Sequence, residues 1–284
     1  MTAILACTDG SIYAESIVDH AAWASRQLGG LGVRVLHVLD RAGQPVPADR
    51  SGTLGLDSSE ELLRELTELD AARNRIELKR SRAMLAAAEA RLRAAGVAGV
   101  TLTQRHGALV DTVVEFEKEA DLLVVGKRGE AADFAVGHLG ANLERVLRAS
   151  PRPVLVASRA FRPIRRYAIA YDGGPAALRM VDFAARSAAV EGLEGHLVTV
   201  APSPGAGTAL LDAPGAILAQ AGRSVVRTVL QGDVEQAIAA HVAAAGIDLL
   251  VMGAYGHGRL RTMMLGSTTA ALLRACRIPV LVFR

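Results

Sequence analysis

The residue types best suited to chemistry gather near the end of the chain. Gly253, Gly256 and Gly266 stand at the spacing G-x2-G-x9-G, and Ser267, Thr268 and Thr269 follow directly. An apolar run, 249–252, precedes this stretch, and the helical pattern "AALLRA" succeeds it. Glycine can take positive φ and lets a backbone approach a ligand that any Cβ would hold off. Amides and hydroxyls at a helix N-terminus face the positive end of its dipole, where an anion is favoured. Together these types describe a cradle for phosphate. Asp172, in "YDGG", follows an earlier apolar run. An acceptor-only carboxylate repels phosphate, so its natural partner is a hydroxyl such as that of a ribose. Taken singly, the same residues also describe a glycine-rich turn and an ordinary Ser/Thr helix cap.

The elements that must bring these residues together occur twice. "AILACTDGSIYAESIVDHAAWAS" matches "YAIAYDGGPAALRMVDFAARSA", setting Asp9 under Asp172 and Gly10 under Gly173. "ADLLVVGKRG" matches "IDLLVMGAYG", setting Gly126 under Gly253 and Gly129 under Gly256, and "PRPVLVAS" matches "RIPVLVFR". A period of about 140 residues is too long for a solenoid unit and indicates a duplicated domain. The chain of 284 residues accommodates two domains of common size, 1–158 and 165–284. The joint, "SRAFRPIRRY", reads as a solvated linker, with Arg165 and Arg166 at its end.

Short apolar runs alternate with helical patterns in each half. In the first, strands are expected at 4–7, 33–39, 100–104, 122–125 and 154–157, with helices at 12–27, about 59–95, 109–119 and 142–148. In the second, strands are expected at 168–171, 196–200, 224–230, 249–252 and 280–283. The segment "APSPGAGTALLDAPGAILAQAG" is rich in Pro and Gly, so its helix is expected to be truncated or poorly ordered. The strands are near-continuous Val, Leu and Ile, as in a parallel sheet covered on both faces. Aromatic residues are only 4%, so the cores must be built from small aliphatic side chains. In such sheets ligands bind outside the carboxyl ends of the strands, where the strand order reverses. An order of 3-2-1-4-5 makes the first and fourth strands neighbours there, so Asp172 and the glycine loop would share a crevice.

Several function classes are disfavoured. "TDGSIYAES" and "YDGGPAALR" lack the G-x-G-x-x-G of a dehydrogenase, and no G-x4-G-K-[ST] of a P-loop occurs. The seven histidines show no H-x3-H spacing, and His257 has no counterpart in the first half. A net charge of +3 with mixed signs gives no one-sided basic stripe for nucleic acid. No run approaches the roughly 18 apolar residues of a membrane span. Two distant cysteines, Cys7 and Cys276, suit a reducing compartment and inert packing. The expected location is the cytoplasm.

The whole spacing, Gly253-x2-Gly256-x9-Gly266-Ser267, resembles the nucleotide-binding signature of the universal stress protein family, and the resemblance covers nearly the entire chain as two tandem copies. It implies two Rossmann-like domains of the adenine nucleotide alpha hydrolase type. Each would be a five-stranded parallel sheet in the order 3-2-1-4-5 with helices on both faces. By the same resemblance Asp172 binds ribose, Val200 meets adenine through its backbone and Met252 packs beside the base. Gly253, Gly256 and Gly266 shape the phosphate loop, and Ser267, Thr268 and Thr269 hold phosphate through amides and hydroxyls. The implied ligand is ATP, or AMP or ADP, with Mg as an accompanying ion. The implied role is regulatory in a stress response, with little or no catalysis; the alternatives are an interaction module without nucleotide and a weak ATPase or adenylating enzyme. A homodimer of tandem chains and unidentified regulatory proteins are the implied partners.

The first copy departs from the pattern. Its third glycine, Gly140, comes one residue late and is followed by Ala141 rather than Ser. Asp9 and Val38 are retained, and Lys127 and Arg128 are expected to supply compensating charge. The fifth strand of each copy is an apolar edge that invites pairing; in single-domain members of the family this edge joins two subunits, so the tandem chain resembles a covalent dimer.

Overall fold

The structure, a computed structural model, is described for residues 3–39, 56–127, 139–254 and 266–284, with the backbone alone at 56–63 and 141. The first half runs β1 (Ala3–Thr8), α1 (Ala14–Gln27), β2 (Gly32–Leu39), α2 (Leu56–Ala94), β3 (Val100–His106), α3 (Leu109–Phe116), β4 (Leu122–Gly126), α4 (Ala141–Ala149) and β5 (Val154–Ala157). The second runs β6 (Arg166–Ala170), α5 (Pro175–Arg186), β7 (Glu194–Val200), α6 (Pro204–Gln220), β8 (Val225–Leu230), α7 (Val234–Ala244), β9 (Leu249–Gly253), α8 (Ser267–Ala275) and β10 (Val280–Phe283).

The strands form a ten-stranded sheet in the order β3-β2-β1-β4-β5-β10-β9-β6-β7-β8. Within each half the order is therefore 3-2-1-4-5 and every pairing is parallel, as the sequence leads one to expect. The halves meet through an antiparallel pair, Val280 opposite Val156, Leu281 opposite Leu155 and Val282 opposite Val154. All six are at most 4% exposed. The apolar edge each half would otherwise present is thus covered by its sister, which removes an open template for association.

Two apolar layers flank the sheet. One packs α1, α2, α5 and α6 on its face, with Ile17, Leu92, Met180 and Leu218 fully buried. The other packs α3, α4, α7 and α8, with Val113, Leu147 and Leu273 fully buried. Each layer contains residues of both halves, so the core is continuous across the seam.

Three expectations need correction here. The joint is solvated at Arg165 and Arg166 but anchored elsewhere: Ile164 is 6% exposed, and Phe161 meets the His20 ring edge-on at 5.0 Å between centroids. The Ser16 hydroxyl donates to the Ser158 carbonyl (2.7 Å), and the Arg165 and Arg166 amides donate to Asp248. The Pro/Gly-rich segment is truncated, 17 residues against the 39 of α2, but forms a continuous helix with Pro214 inside it. Pro204 starts it, where its missing N–H costs nothing, and the Ser203 hydroxyl caps the Ala206 amide. Two of its glycines serve packing: a Cβ on Gly207 would lie 2.3 Å from the Val229 side chain on β8, and one on Gly215 2.3 Å from the Arg227 side chain. Finally, α1 begins at Ala14 and α3 ends at Phe116, passing into the 3-10 turn Glu117–Glu119.

Candidate functional site

β6 and β9 are adjacent, paired from Tyr167 opposite Leu249 to Ile169 opposite Val251. Their carboxyl ends therefore emerge side by side, bringing Asp172 and Gly253 to one rim of the sheet. Asp172 Oδ1 accepts a hydrogen bond from the Gly174 amide at 2.8 Å. This turn requires φ of +78° at Gly173, a conformation other residues rarely adopt. The same device recurs at Asp9, which accepts from the Ser11 amide at 3.0 Å, with Gly10 at φ +75°. One reading is thereby corrected. Positive φ is needed at the turns after β1 and β6, while Gly253 is not among the positive-φ glycines and Gly266 has φ −55°.

Val200 ends β7 on the far side of β6. The Tyr171 amide donates to the Val198 carbonyl, whereas the Ala201 amide donates to Leu230 on β8. Backbone groups alternate sides along a strand, so the Val200 N–H and C=O point toward β6, beyond the place where β6 has turned away. The same register applies in the first half: Ala170 pairs with Val198 and Cys7 with Leu36, which makes Val38 the counterpart of Val200.

The fourth strand leads to the helix that completes the rim. Gly266 is the N-cap of α8, and its amide donates to the Ala254 carbonyl at 3.2 Å, closing the base of the loop. The helical ladder begins with the Ala270 amide donating to Gly266. The amides of Ser267, Thr268 and Thr269 thus precede the ladder, and the N-cap, being glycine, has no side chain to cap them. Ser267 and Thr268 are exposed. Thr269 is only 4% exposed, and its hydroxyl bonds the carbonyls of Gly253 (3.0 Å) and Ala254 (3.1 Å). The expected hydroxyl contact to phosphate is thus taken up within the protein, where the side chain staples α8 to β9. Met252, 3% exposed, belongs to the core between the sheet and α7–α8. Gly256 and His257 lie outside the described residues.

In the first half, Gly140 is likewise the N-cap of its helix, at φ −62° and ψ 131° against −55° and 137° for Gly266. Its amide donates to the Lys127 carbonyl at 3.3 Å, so the extra residue is absorbed in the loop and the cap position is kept. The contents differ. Leu143, 5% exposed, occupies the position of Thr269, and Glu144 places an acid in the first turn. Lys127 does not offer charge to a ligand: its ammonium, 9% exposed, donates to the carbonyls of Cys276 and Ile278 (3.2 Å for the latter) at the end of α8. Reciprocally, Arg284 donates to the carbonyls of Arg148 (2.5 Å) and Ala149 at the end of α4. Each half thus sets a cation at the negative end of a helix of the other. The sequence reading missed this, because a lysine in a loop carries no sign of a partner 149 residues away. Arg128 lies outside the described residues.

Both cysteines are buried and unbridged. Burial, aided by Glu117, pushes the Cys7 thiol up to about 12, and burial raises Cys276 despite the neighbouring Lys127. Neither is a thiolate near neutrality, which fits packing roles. Among the described residues no group of three or more His, Cys, Asp or Glu is placed to hold a metal, and no helix is long and apolar enough to cross a membrane.

A parallel α/β sheet of order 3-2-1-4-5, with an acidic turn and a glycine-capped helix at its reversal, defines the Rossmann-like class with a crevice at the strand ends. Comparison narrows the class: the profile of the universal stress protein family matches residues 1–158 and 211–284, and the chain belongs to that family. Universal stress protein Slr1230 of Synechocystis sp. is 39% identical over 288 residues, covering 100% of each chain. A universal stress protein structure from Archaeoglobus fulgidus superposes with a TM-score of 0.69 at 23% identity, covering 99% of this chain and 98% of that one. A protein structure from Pseudomonas aeruginosa PAO1 gives 0.64 at 15% identity, over 100% and 92%. Asp172 and Val200 fall in the stretch between the two matched segments.

Proposed function

We propose that the second half binds an adenine nucleotide, ATP or its AMP and ADP relatives, as a regulatory ligand. The observation carrying this reading is the meeting, at neighbouring strand ends, of the Asp172 turn with a Gly266-capped helix whose first amides precede its ladder. Phosphate oxygens would be held by the amides of Ser267, Thr268 and Thr269 and the hydroxyls of Ser267 and Thr268. Asp172 would take a ribose hydroxyl, the Val200 backbone the adenine edge, and Gly253 and Gly256 the approach of the chain to phosphate. Mg would accompany ATP through its phosphates. We take 1–158 and 165–284 as the two domains, the first serving mainly to brace the second. We also take the protein to be a cytoplasmic homodimer of tandem chains that reports to regulatory proteins under stress.

Thermal and urea unfolding with and without ATP and Mg²⁺ tests this reading. A ligand at a hundred times its Kd adds about 2.7 kcal/mol of stability. Absence of any shift with ATP, ADP and AMP overturns it. Nucleotide product analysis after long incubation separates a resident ligand from a slowly hydrolysed substrate.

A further inference from the structure

The contacts of α2 with the body of the protein run along Ser81, Leu85, Ala88 and Leu92, all at most 6% exposed. At 3.6 residues per turn these four form one stripe. The 39 residues of the helix extend about 58 Å, more than twice the length of the strands it crosses. Its N-terminal part therefore overhangs the carboxyl-end rim of the first half, and residues 64–71 are exposed throughout.

The overhang carries a second stripe. Leu66 is 42% exposed, Leu69 66% and Ile76 67%. With Arg73 between them they span less than a quarter of the helix circumference, centred roughly 110° from the body-facing line. Three large aliphatic side chains in one exposed line on a soluble helix mark an interaction surface. Its charge pattern specifies the partner. Residues 57–70 contain six acids and one arginine, whereas residues 73–82 contain five basic residues and one glutamate. The helix is thus acidic along its first part and basic along its second, with the apolar stripe spanning the change of sign.

A polarised helix of this kind is complementary to a reversed copy of itself. We propose that two chains associate by antiparallel pairing of their α2 overhangs about a dyad beside residue 71. Leu66 then packs against Ile76 of the second copy, and Leu69 against the aliphatic stem of its Arg73. On one flank Glu65 comes within about 3 Å, along the axis, of the level of Lys79 of the second copy, close enough for their side chains to meet. A parallel arrangement would set acid against acid and base against base along the whole contact, so charge selects the orientation. The ion pairs already present within the helix, Arg64 with Glu68 and Arg73 with Glu77, run along one chain and leave the aliphatic stripe uncovered. This inference names the surface for the pairing of chains proposed above and is independent of nucleotide.

The test uses the full chain and its mass by sedimentation velocity. The wild-type protein is expected to dimerise, and Leu69→Asp with Ile76→Asp to weaken self-association at least tenfold, with far-UV circular dichroism confirming retained helix. Two charge-reversed variants sharpen the test. Glu65→Lys with Glu68→Lys makes the overhang basic, and Arg75→Glu with Lys79→Glu makes it acidic. Each alone is expected to be monomeric, and a mixture to form the heterodimer. Mixing Leu66→Cys with Ile76→Cys chains under mild oxidation should give the mixed crosslink in preference to either self-crosslink. A dimer that persists in every variant sinks this surface while sparing the pairing of chains; a wild-type chain that stays monomeric at hundreds of micromolar sinks both.

Discussion

The two crevices of this chain are built on the same frame and fitted out differently. Both have an Asx turn after the first strand, a valine two residues beyond the matched register of the second, and a glycine N-cap bonded back to the end of the fourth strand. They diverge at the side chains the frame presents. Thr269 bonds two strand-end carbonyls where Leu143 packs, Ser267 and Thr268 stand where Ala141 and Asn142 do, and Lys127 crosses the seam where Ala254 is small. Duplicated backbone geometry is thus compatible with a division of labour, one copy keeping polar groups at its rim and the other turning its cation toward its sister.

The strongest way to break this comparison is to obstruct one cradle at a time. Gly266→Val is expected to weaken nucleotide binding by about 100-fold, or about 2.8 kcal/mol, while Gly140→Val leaves it unchanged; calorimetric titration reads both. The N-cap conformation suits any residue, so the fold should survive both changes. Equal losses would mean that both copies bind. Next in size is the seam. Lys127→Met orphans two carbonyls at the end of α8 and is expected to cost about 2 kcal/mol in urea unfolding, whereas an exposed lysine such as Lys118 should be neutral on replacement. A smaller effect is expected at the staple: Thr269→Val should lose about 1 kcal/mol, and Leu143→Thr should fail to recover an equal amount in the first half if its strand end is already satisfied.

The smallest effect concerns pH. Burial lowers His20 and His241 below their ordinary value near 6.5, with His196 adding to the shift at His241. Each is held neutral in the folded state, so the unfolded chain binds more protons once pH falls below about 6.5, and stability declines from there downward. The Nδ1–H of His20 is fixed by the Ser16 carbonyl at 2.7 Å. His20→Gln should flatten the decline in the pH dependence of the urea midpoint; a steeper decline would contradict the assignment.

Much of the fold was legible because it is written in local signals. Near-continuous aliphatic runs marked the strands and the repeat marked the symmetry, while the common order 3-2-1-4-5 came from the family resemblance. The signs that failed were those whose meaning depends on distant partners. "APSPGAGTALLDAPGAILAQAG" suggests a poorly ordered helix until Gly207 is seen against Val229. "SRAFRPIRRY" suggests a solvated linker until Ile164 is found in the core with Phe161 packed against it. At the site, the Gly266 cap could be read from its neighbours, but the orientation of the Thr269 hydroxyl could not, since its acceptors lie 16 and 15 residues earlier on another element. The Asx turn at Asp172 could have been found from its Asp-Gly pair, a pattern known to fold back on its own backbone.

The antiparallel seam between β5 and β10 has a geometric consequence. Because strand direction reverses there, the carboxyl ends of the two half-sheets point to opposite borders of one continuous ribbon. A protein that docks over one border meets the crevice of a single copy, and the α2 overhang lies on the border belonging to the first copy, away from Asp172 and α8.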